Sequence, residues 1–509
     1  MSQQKLSRVM ALAAAAFVLV LAIQSTASAA TTCESLTGLK LTNTTITLAQ
    51  AVEAGKFVVA PAGGAGGRGG GANPYADLPA FCRVAATIKP SSDSEIKVEI
   101  WMPTAGWNGK FQGVGNGAWN GAIQTAALAT GLRKGYATAS TDTGHEGGSA
   151  SFALGHPEKL IDFGYRAVHE MTDKGKAITT AFYDNSAPKF SYFVGCSAGG
   201  KQAIKETQMY PADYDGVVAG SPGVNWSGRA LQTIWVGQAV AQAPIPQAKF
   251  AAINAAAVAA CDANDGVKDG VIENPRVCKF DPQVLLCKEG DSNSCLTAPQ
   301  VETARKIYAN VSNSRTKQSL VAGLSPGSEN GWNTMAGAQP FGPGVDLFKY
   351  IVFSDANWDF KTLNWDTDLD KTLKASKDMD AMDANMKPFF DRGGKIISYH
   401  GWTDPQISPG STVDYYQTVL DKMGGAAKVQ ENYRLFMVPG MNHCGGGTGT
   451  DQFDMLTALE NWVEKKQTPA TITASRANPV RTRPLCPYPQ VATYKGTGST
   501  DDDANFTCK

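Results

Sequence analysis

The stretch FSYFVGCSAGGKQ, residues 190–202, constrains the fold of this 509-residue chain more tightly than any other. An apolar, aromatic run suited to a buried strand enters the pattern G-x-S-x-G, and a helix-forming run, GGKQAIKETQMY, leaves it. Only a sharp turn between strand and helix satisfies both flanks. Such a turn brings backbone against backbone, which requires glycine, and lifts the serine at the carboxyl end of a sheet. Around it, EIKVEIWMP, KFQGVGNG, GYATASTD, KFSYFVGCS and YDGVVAGSP read as strands, and DFGYRAVHEMTDKGKAITTAFYDN reads as a helix. Alternation of this kind predicts an α/β fold, a mostly parallel sheet with helices on both faces. With the serine turn included, the expectation is the α/β-hydrolase fold.

The rhythm stops after Pro222 and resumes at GGKIISYHGWTD. Residues 224–394 carry four of the ten cysteines, an aspartate-rich loop and several tryptophans, and are read as a large inserted lid domain. The catalytic domain then comprises residues 30–223 and 395–509. Residues 1–29 have the form of a signal peptide: Lys5 and Arg8 precede the apolar run VMALAAAAFVLVLAI, and Ala27-Ser28-Ala29 supplies small residues for cleavage. Residues 61–75, PAGGAGGRGGGANPY, lack the G-K-[ST] ending of a phosphate loop and read as a surface excursion. The expected location is secreted or periplasmic. Ten cysteines with no C-x-x-C spacing suit disulfides in an oxidising compartment and no zinc site. Forty-six basic and forty-six acidic residues leave no surplus of positive charge for nucleic acid or an anionic membrane surface.

A serine becomes a nucleophile only when a base removes its proton, and in this fold the partners follow in the order serine, acid, histidine. Of five histidines, His145, His156 and His169 precede Ser197. His400 ends the strand KIISYH and is read as structural or pocket-lining. His443 stands in a glycine-rich loop directly after the strand YRLFMV, where the base belongs. The acid is expected at the end of the preceding strand, where SYHGWTDP supplies Asp404; Asp414 competes but falls in the helical STVDYYQTVL. The developing oxyanion needs two amide donors. Ala198, after the serine, provides one. The loop GVGNGAWNG provides the other, with Gly117 chosen and Gly115 or Ala118 as alternatives.

With these residues in place, the chain resembles the tannase and feruloyl esterase family of α/β-hydrolases, which also contains esterases of terephthalate monoesters. The family joins a Cys-Ser pair, an Asp and a His-Cys pair, here Cys196-Ser197, Asp404 and His443-Cys444, and WNGKF, STDTGH and PGMNHCGGG extend the likeness. The resemblance implies a disulfide between Cys196 and Cys444, and the further pairs Cys33–Cys82, Cys261–Cys278, Cys287–Cys295 and Cys486–Cys508. It also implies that the loop CDANDGVKDGVIE binds a structural Ca2+ through the side chains of Asp262, Asp265 and Asp269 and the carbonyls of Val267 and Val271. As an EF-hand this loop fails, because Gly266 and Val267 stand where a ligand and the invariant glycine belong.

The chemistry expected is hydrolysis of a small aromatic ester, galloyl, feruloyl or monoaryl terephthalate, through an acyl-enzyme. The lid aromatics Trp332, Phe348, Tyr350, Phe353 and Trp358 are candidates to hold a planar ring or to form lid core. Two rival readings are a serine peptidase of the prolyl-oligopeptidase kind and a calcium-dependent binding protein built on an inactive hydrolase core.

Overall fold

The computed structural model describes residues 31–59 and 73–509. The expected signal peptide lies outside the described residues, as does most of the glycine-rich stretch. Nine strands form one sheet: β1 (Thr44–Val52), β2 (Phe81–Ile88), β3 (Ile96–Pro103), β4 (Lys110–Val114), β5 (Ala137–Thr141), β6 (Phe190–Cys196), β7 (Gly216–Gly220), β8 (Lys395–Gly401) and β9 (Tyr433–Val438). Their order is β1-β2-β3-β5-β4-β6-β7-β8-β9. The pairs β1/β2, β2/β3 and β3/β5 are antiparallel, and the other five are parallel. This is the mostly parallel sheet with helical layers expected from the sequence.

Period-two side-chain alternation sorts the strand residues onto two cores. Phe193, Val217, Ile396 and Leu435 face one way. They pack against α2 (Ala167–Phe182), α3 (Ala198–Met209) and α7 (Pro409–Met423), among them Met171, Ile204 and Tyr416. Their neighbours Tyr192, Val218, Ile397 and Phe436 face the other way, onto Leu456, Leu459 and Trp462 of α8 (Met455–Lys465). Helix α1 (Thr125–Arg133) closes the sheet beside Trp101 and Val114. Each such side chain buried in full contributes about 1.5–3 kcal/mol before entropy is subtracted.

Between β7 and β8 the chain leaves the sheet for helices α4 (Trp226–Gln242), α5 (Phe250–Cys261) and α6 (Ala298–Tyr308). These have a core of their own around Val236, Ile253, Ala304 and Trp332. A second cluster ties this insertion to the sheet's carboxyl end, joining Trp119 and Ala198 to Trp226, Leu347 and Phe348. After α8, two hairpins, Ile472–Ala477 with Val480–Leu485 and Ala492–Tyr494 with Phe506–Cys508, end the chain. Among the described residues, no helix is long and apolar enough to cross a membrane.

Candidate active site

Strand β6 runs out at Cys196, and Ser197 then takes φ 64° and ψ −123° before α3 begins at Ala198. Backbone of this kind costs a side-chain-bearing residue about 1–3 kcal/mol, so its surroundings must hold it. They do so by close approach. A Cβ on Gly195 would lie 2.4 Å from Gly199 C, and one on Gly200 would lie 2.3 Å from Gly220 O. The Ser197 N–H donates to Gly220 O at 2.9 Å. Ser197 is half-buried at the carboxyl end of the central strand.

Asp404 lies just past β8 and is fully buried, with both oxygens engaged. Oδ1 accepts from the N–H groups of Gln406 at 2.7 Å and Ile407 at 3.0 Å. Oδ2 meets His443 Nδ1 at 2.6 Å and His400 Nε2 at 3.0 Å. Burial alone pushes this carboxyl upward, but the charge of His443 and the hydrogen bonds from His400 and His443 prevail and hold it well below the usual carboxylate range. The acid stays ionised and fixes the tautomer of His443: Nδ1 donates to it, which leaves Nε2 as the acceptor.

The loop after β9 carries His443 and is tied to the serine by a covalent bond. Cys196 and Cys444 form a disulfide with Cα atoms 6.1 Å apart, across 248 residues of sequence. The residue before the serine is thereby joined to the residue after the histidine. Chain entropy alone gives such a closure on the order of 5 kcal/mol. The loop is further braced by the Asn442 N–H on Gly446 O at 3.1 Å and by the Thr403 hydroxyl on Asn442 Oδ1 at 3.0 Å.

The amide donors of the loop after β4 sort themselves by what they already bond. Gly115 N–H donates to Val194 O at 3.0 Å, and Asn116 N–H to Gln202 Oε1 at 3.0 Å, so neither is available. Gly117 and Ala118 remain. This loop touches the serine turn directly, for a Cβ on Gly115 would sit 2.5 Å from Gly199 Cα. The N–H of Ala198, the first residue of α3, has no partner four residues back.

A sequence model of the family described as tannase and feruloyl esterase matches residues 82–509. The chain belongs to this family. It is 40% identical to an uncharacterized esterase of Xanthomonas campestris pv. campestris, over 96% of this chain and 92% of that one. It is 34% identical to the mono(2-hydroxyethyl) terephthalate hydrolase of Piscinibacter sakaiensis, over 85% of each. The crystal structure of feruloyl esterase B from Aspergillus oryzae superposes with a TM-score of 0.85 at 30% identity, covering 94% of this chain and 99% of that one. This member of the tannase and feruloyl esterase family is an ester hydrolase.

Its ten cysteines form five disulfides: Cys33–Cys82, Cys196–Cys444, Cys261–Cys278, Cys287–Cys295 and Cys486–Cys508. The remaining candidates lie elsewhere. Asp414 is exposed and pairs with Arg276 at 3.1 Å. His145 is buried, with Nε2 2.8 Å from Trp119 O and its ring stacked on Phe152. His156 pairs with Asp93 and His169 with Asp213, each at 2.7 Å. Trp332 packs against Tyr308 and Phe250 within the insertion, and Phe348, Phe353 and Trp358 stack on one another.

In the aspartate-rich loop, Asp262 accepts from the N–H groups of Asp269 and Gly270, Asp265 from Val267, and Asp269 Oδ1 from Val271. Asp269 Oδ2 also takes Arg481 at 3.0 Å and Arg483 at 2.6 Å from the C-terminal hairpin. Burial raises the Asp265 carboxyl, and the charges of Asp269 and Asp262 raise it further. Hard oxygen donors gathered in one loop are the chemistry a divalent cation takes, and Glu273 adds a half-buried carboxyl pushed up to about 8, chiefly by desolvation. Among the described residues, the group of three metal-type ligand atoms within 4.8 Å of one another is Cys287, Asp291 and Cys295, and those sulfurs are spent in a disulfide. The loop aspartates are set more widely.

Sequence reasoning missed two groups that support the Asp404 turn. His400 was read as structural or pocket-lining, and its hold on Asp404 depends on a turn that folds residue 404 back beneath residue 400. A histidine four residues before the acid was the only signal. Arg229, on the first turn of α4, hydrogen-bonds Gln406 O at 3.2 Å and gave no signal in sequence.

Proposed function

We propose that this chain is an exported serine esterase acting on aromatic esters through Ser197, His443 and Asp404. Ser197 Oγ attacks the ester carbonyl carbon as His443 Nε2 takes its proton. The tetrahedral oxyanion is held by the N–H groups of Ala198 and Gly117. Collapse breaks the bond to the alkoxy oxygen, which leaves with the proton from His443. Water, deprotonated by the same imidazole, then attacks the acyl-enzyme, and the acid departs as Ser197 recovers its proton. Throughout, Asp404 keeps Nδ1 protonated and balances the imidazolium charge.

The observation that carries this reading is the 2.6 Å contact of His443 with a buried, ionised Asp404, on a loop bonded through Cys444 to the residue preceding the serine. Aromatic substrates are supported by the relatives named feruloyl esterase and terephthalate monoester hydrolase. Export is supported by the form of residues 1–29 and by five disulfides, which suit an oxidising compartment. Residues 224–394 serve as a lid over the catalytic domain. Asp262, Asp265 and Asp269, with the carbonyls of Val267 and Val271, would hold Ca2+, which supplies charge neutralisation and a rigid loop, remote from the reacting atoms.

A panel of methyl gallate, methyl ferulate and mono(2-hydroxyethyl) terephthalate, set beside peptide substrates, tests the reading. Turnover of at least one ester, with none of the peptides, is expected. Peptide cleavage without ester hydrolysis would favour the peptidase, and inertness toward all would favour a binding protein.

A further inference from the structure

Two buried amides, Asn116 in the loop after β4 and Gln202 in α3, are 2% and 3% exposed and hold one another. Asn116 Nδ2 donates to Thr141 O at 2.9 Å and to Ala122 O at 3.2 Å. Two carbonyls on one side fix which end of this amide is nitrogen, because oxygen there could donate to neither. Asn116 Oδ1 is left for Gln202 Nε2, which donates to it at 3.3 Å. The Asn116 N–H donates in turn to Gln202 Oε1 at 3.0 Å. A single side chain from α3 therefore grips Asn116 by backbone and side chain together.

The peptide units beside this clamp give it a consequence for chemistry. Asn116 O and the Gly117 N–H belong to one planar peptide, so whatever fixes Asn116 also aims the Gly117 N–H. Asn116 O is itself packed toward α3: a Cβ on Gly199 would lie 3.1 Å from it and 3.0 Å from Gly115 Cα. A Cβ on Gly117 would meet nothing within 4 Å, so the loop leaves the packed interface at that residue. Gln202 follows Ala198 by four positions in α3, which puts both on one face of the helix. The donor on the loop is thereby referred to the same helix face that begins with the other donor.

We infer, resting on the serine esterase reading above, that Gln202 is a positioning residue for the oxyanion site: by holding Asn116 to α3 it sets the separation and direction of the Gly117 N–H relative to the Ala198 N–H. It touches no reacting atom. Its effect falls on the tetrahedral state, where the former carbonyl oxygen carries charge, and not on binding of the uncharged ester.

The test uses Gln202→Met, which keeps the length of the side chain and removes both hydrogen bonds, and Gln202→Glu, which keeps an acceptor for the Asn116 N–H. Gln202→Met is expected to lower kcat for an aromatic ester about tenfold to a hundredfold while KM stays within about twofold. Inhibition by an aryl boronic acid, which forms a tetrahedral adduct on the serine, should weaken by a similar factor. Inhibition by the amide analogue of the ester, which binds without that adduct, should be unmoved. Gln202→Glu should keep more of kcat than Gln202→Met. In the wild type, hydrogen exchange should find the Asn116 N–H protected with or without boronate, and the Gly117 N–H protected only in the adduct. Unchanged kcat in Gln202→Met, equal weakening of both inhibitors, or no advantage of Gln202→Glu would overturn the inference. So would an Asn116 N–H that exchanges as fast as that of Gly117 in the free enzyme, a reading that stands even if Gln202→Met fails to fold. A wild type that hydrolyses no ester and binds no boronate would overturn the esterase reading itself, and the inference with it.

Discussion

At the scale of single residues, the acid of this site is shared. Asp404 Oδ2 serves both His443 and His400, and the two imidazoles have different work. His400 Nε2 faces two acceptors, Asp404 Oδ2 and Ile407 O, so it carries the proton, and Nδ1 accepts from the Thr412 hydroxyl at 2.8 Å. Under the proposed mechanism His400 is thus a positioning residue: it fixes the carboxylate that would fix the base. His400→Phe should lower kcat about tenfold or more with little change in KM, because a shift of a fraction of an ångström at Asp404 is passed to His443. It should also cost about 1–3 kcal/mol of stability, since a buried hydroxyl and a carboxylate oxygen each lose a partner. His400→Gln, which can still donate to Asp404, should recover much of the rate. Equal loss in both variants, read by steady-state kinetics and urea unfolding, would remove the positioning role.

Among the elements, the serine turn and the histidine loop form one unit because a disulfide closes it. The loop from Met441 to Gly447 contains Cys444 at φ 62° and three consecutive glycines, so its conformation rests on a few hydrogen bonds, among them Gly446 N–H to Asp451 Oδ2 at 2.7 Å, and on the disulfide. Replacing Cys196 and Cys444 together by alanine should leave the fold standing on four other disulfides and the sheet, while kcat falls on the order of a hundredfold. Circular dichroism beside kinetics checks both halves, and an unchanged rate would make the bond a stability device only. Much of this unit is legible in the chain. G-x-S-x-G between an apolar run and a helical run dictates its turn, because side chains at Gly195 and Gly200 would collide with backbone. The order of β4 and β5 in the sheet, and the engagement of Asp269 by Arg481 and Arg483 from more than two hundred residues away, are not legible. Those arrangements are set by long-range pairing, which leaves no local pattern. The choice among Gly115, Gly117 and Ala118 narrows only when the partners of each N–H are known.

For the whole molecule, the C-terminal hairpins act as a clasp. Arg481 and Arg483 hold Asp269, Ala492 N–H donates to Glu273 at 3.0 Å, and Val267 packs with Phe506, so the aspartate-rich loop and the chain's end are stabilised together. If the loop holds Ca2+, chelation should lower Tm by several degrees while the rate at 25 °C is kept, since an ion at a hundred times its Kd stabilises by about 2.7 kcal/mol. An unchanged melting curve in chelator, with no calcium in the purified protein, would remove the ion. The insertion reaches the serine turn through Trp226 and Phe348, which cluster with Ala198. In the proposed mechanism all of this serves a covalent step at one atom. The most direct measurement is intact-protein and peptide mass spectrometry after treatment with an aryl phosphonate, beside ester turnover, for the wild type and Ser197→Ala. The expected result is one adduct, on Ser197, formed in step with loss of activity, and neither adduct nor turnover in Ser197→Ala. Full turnover by Ser197→Ala, or an adduct on another residue that tracks inactivation, would contradict the account.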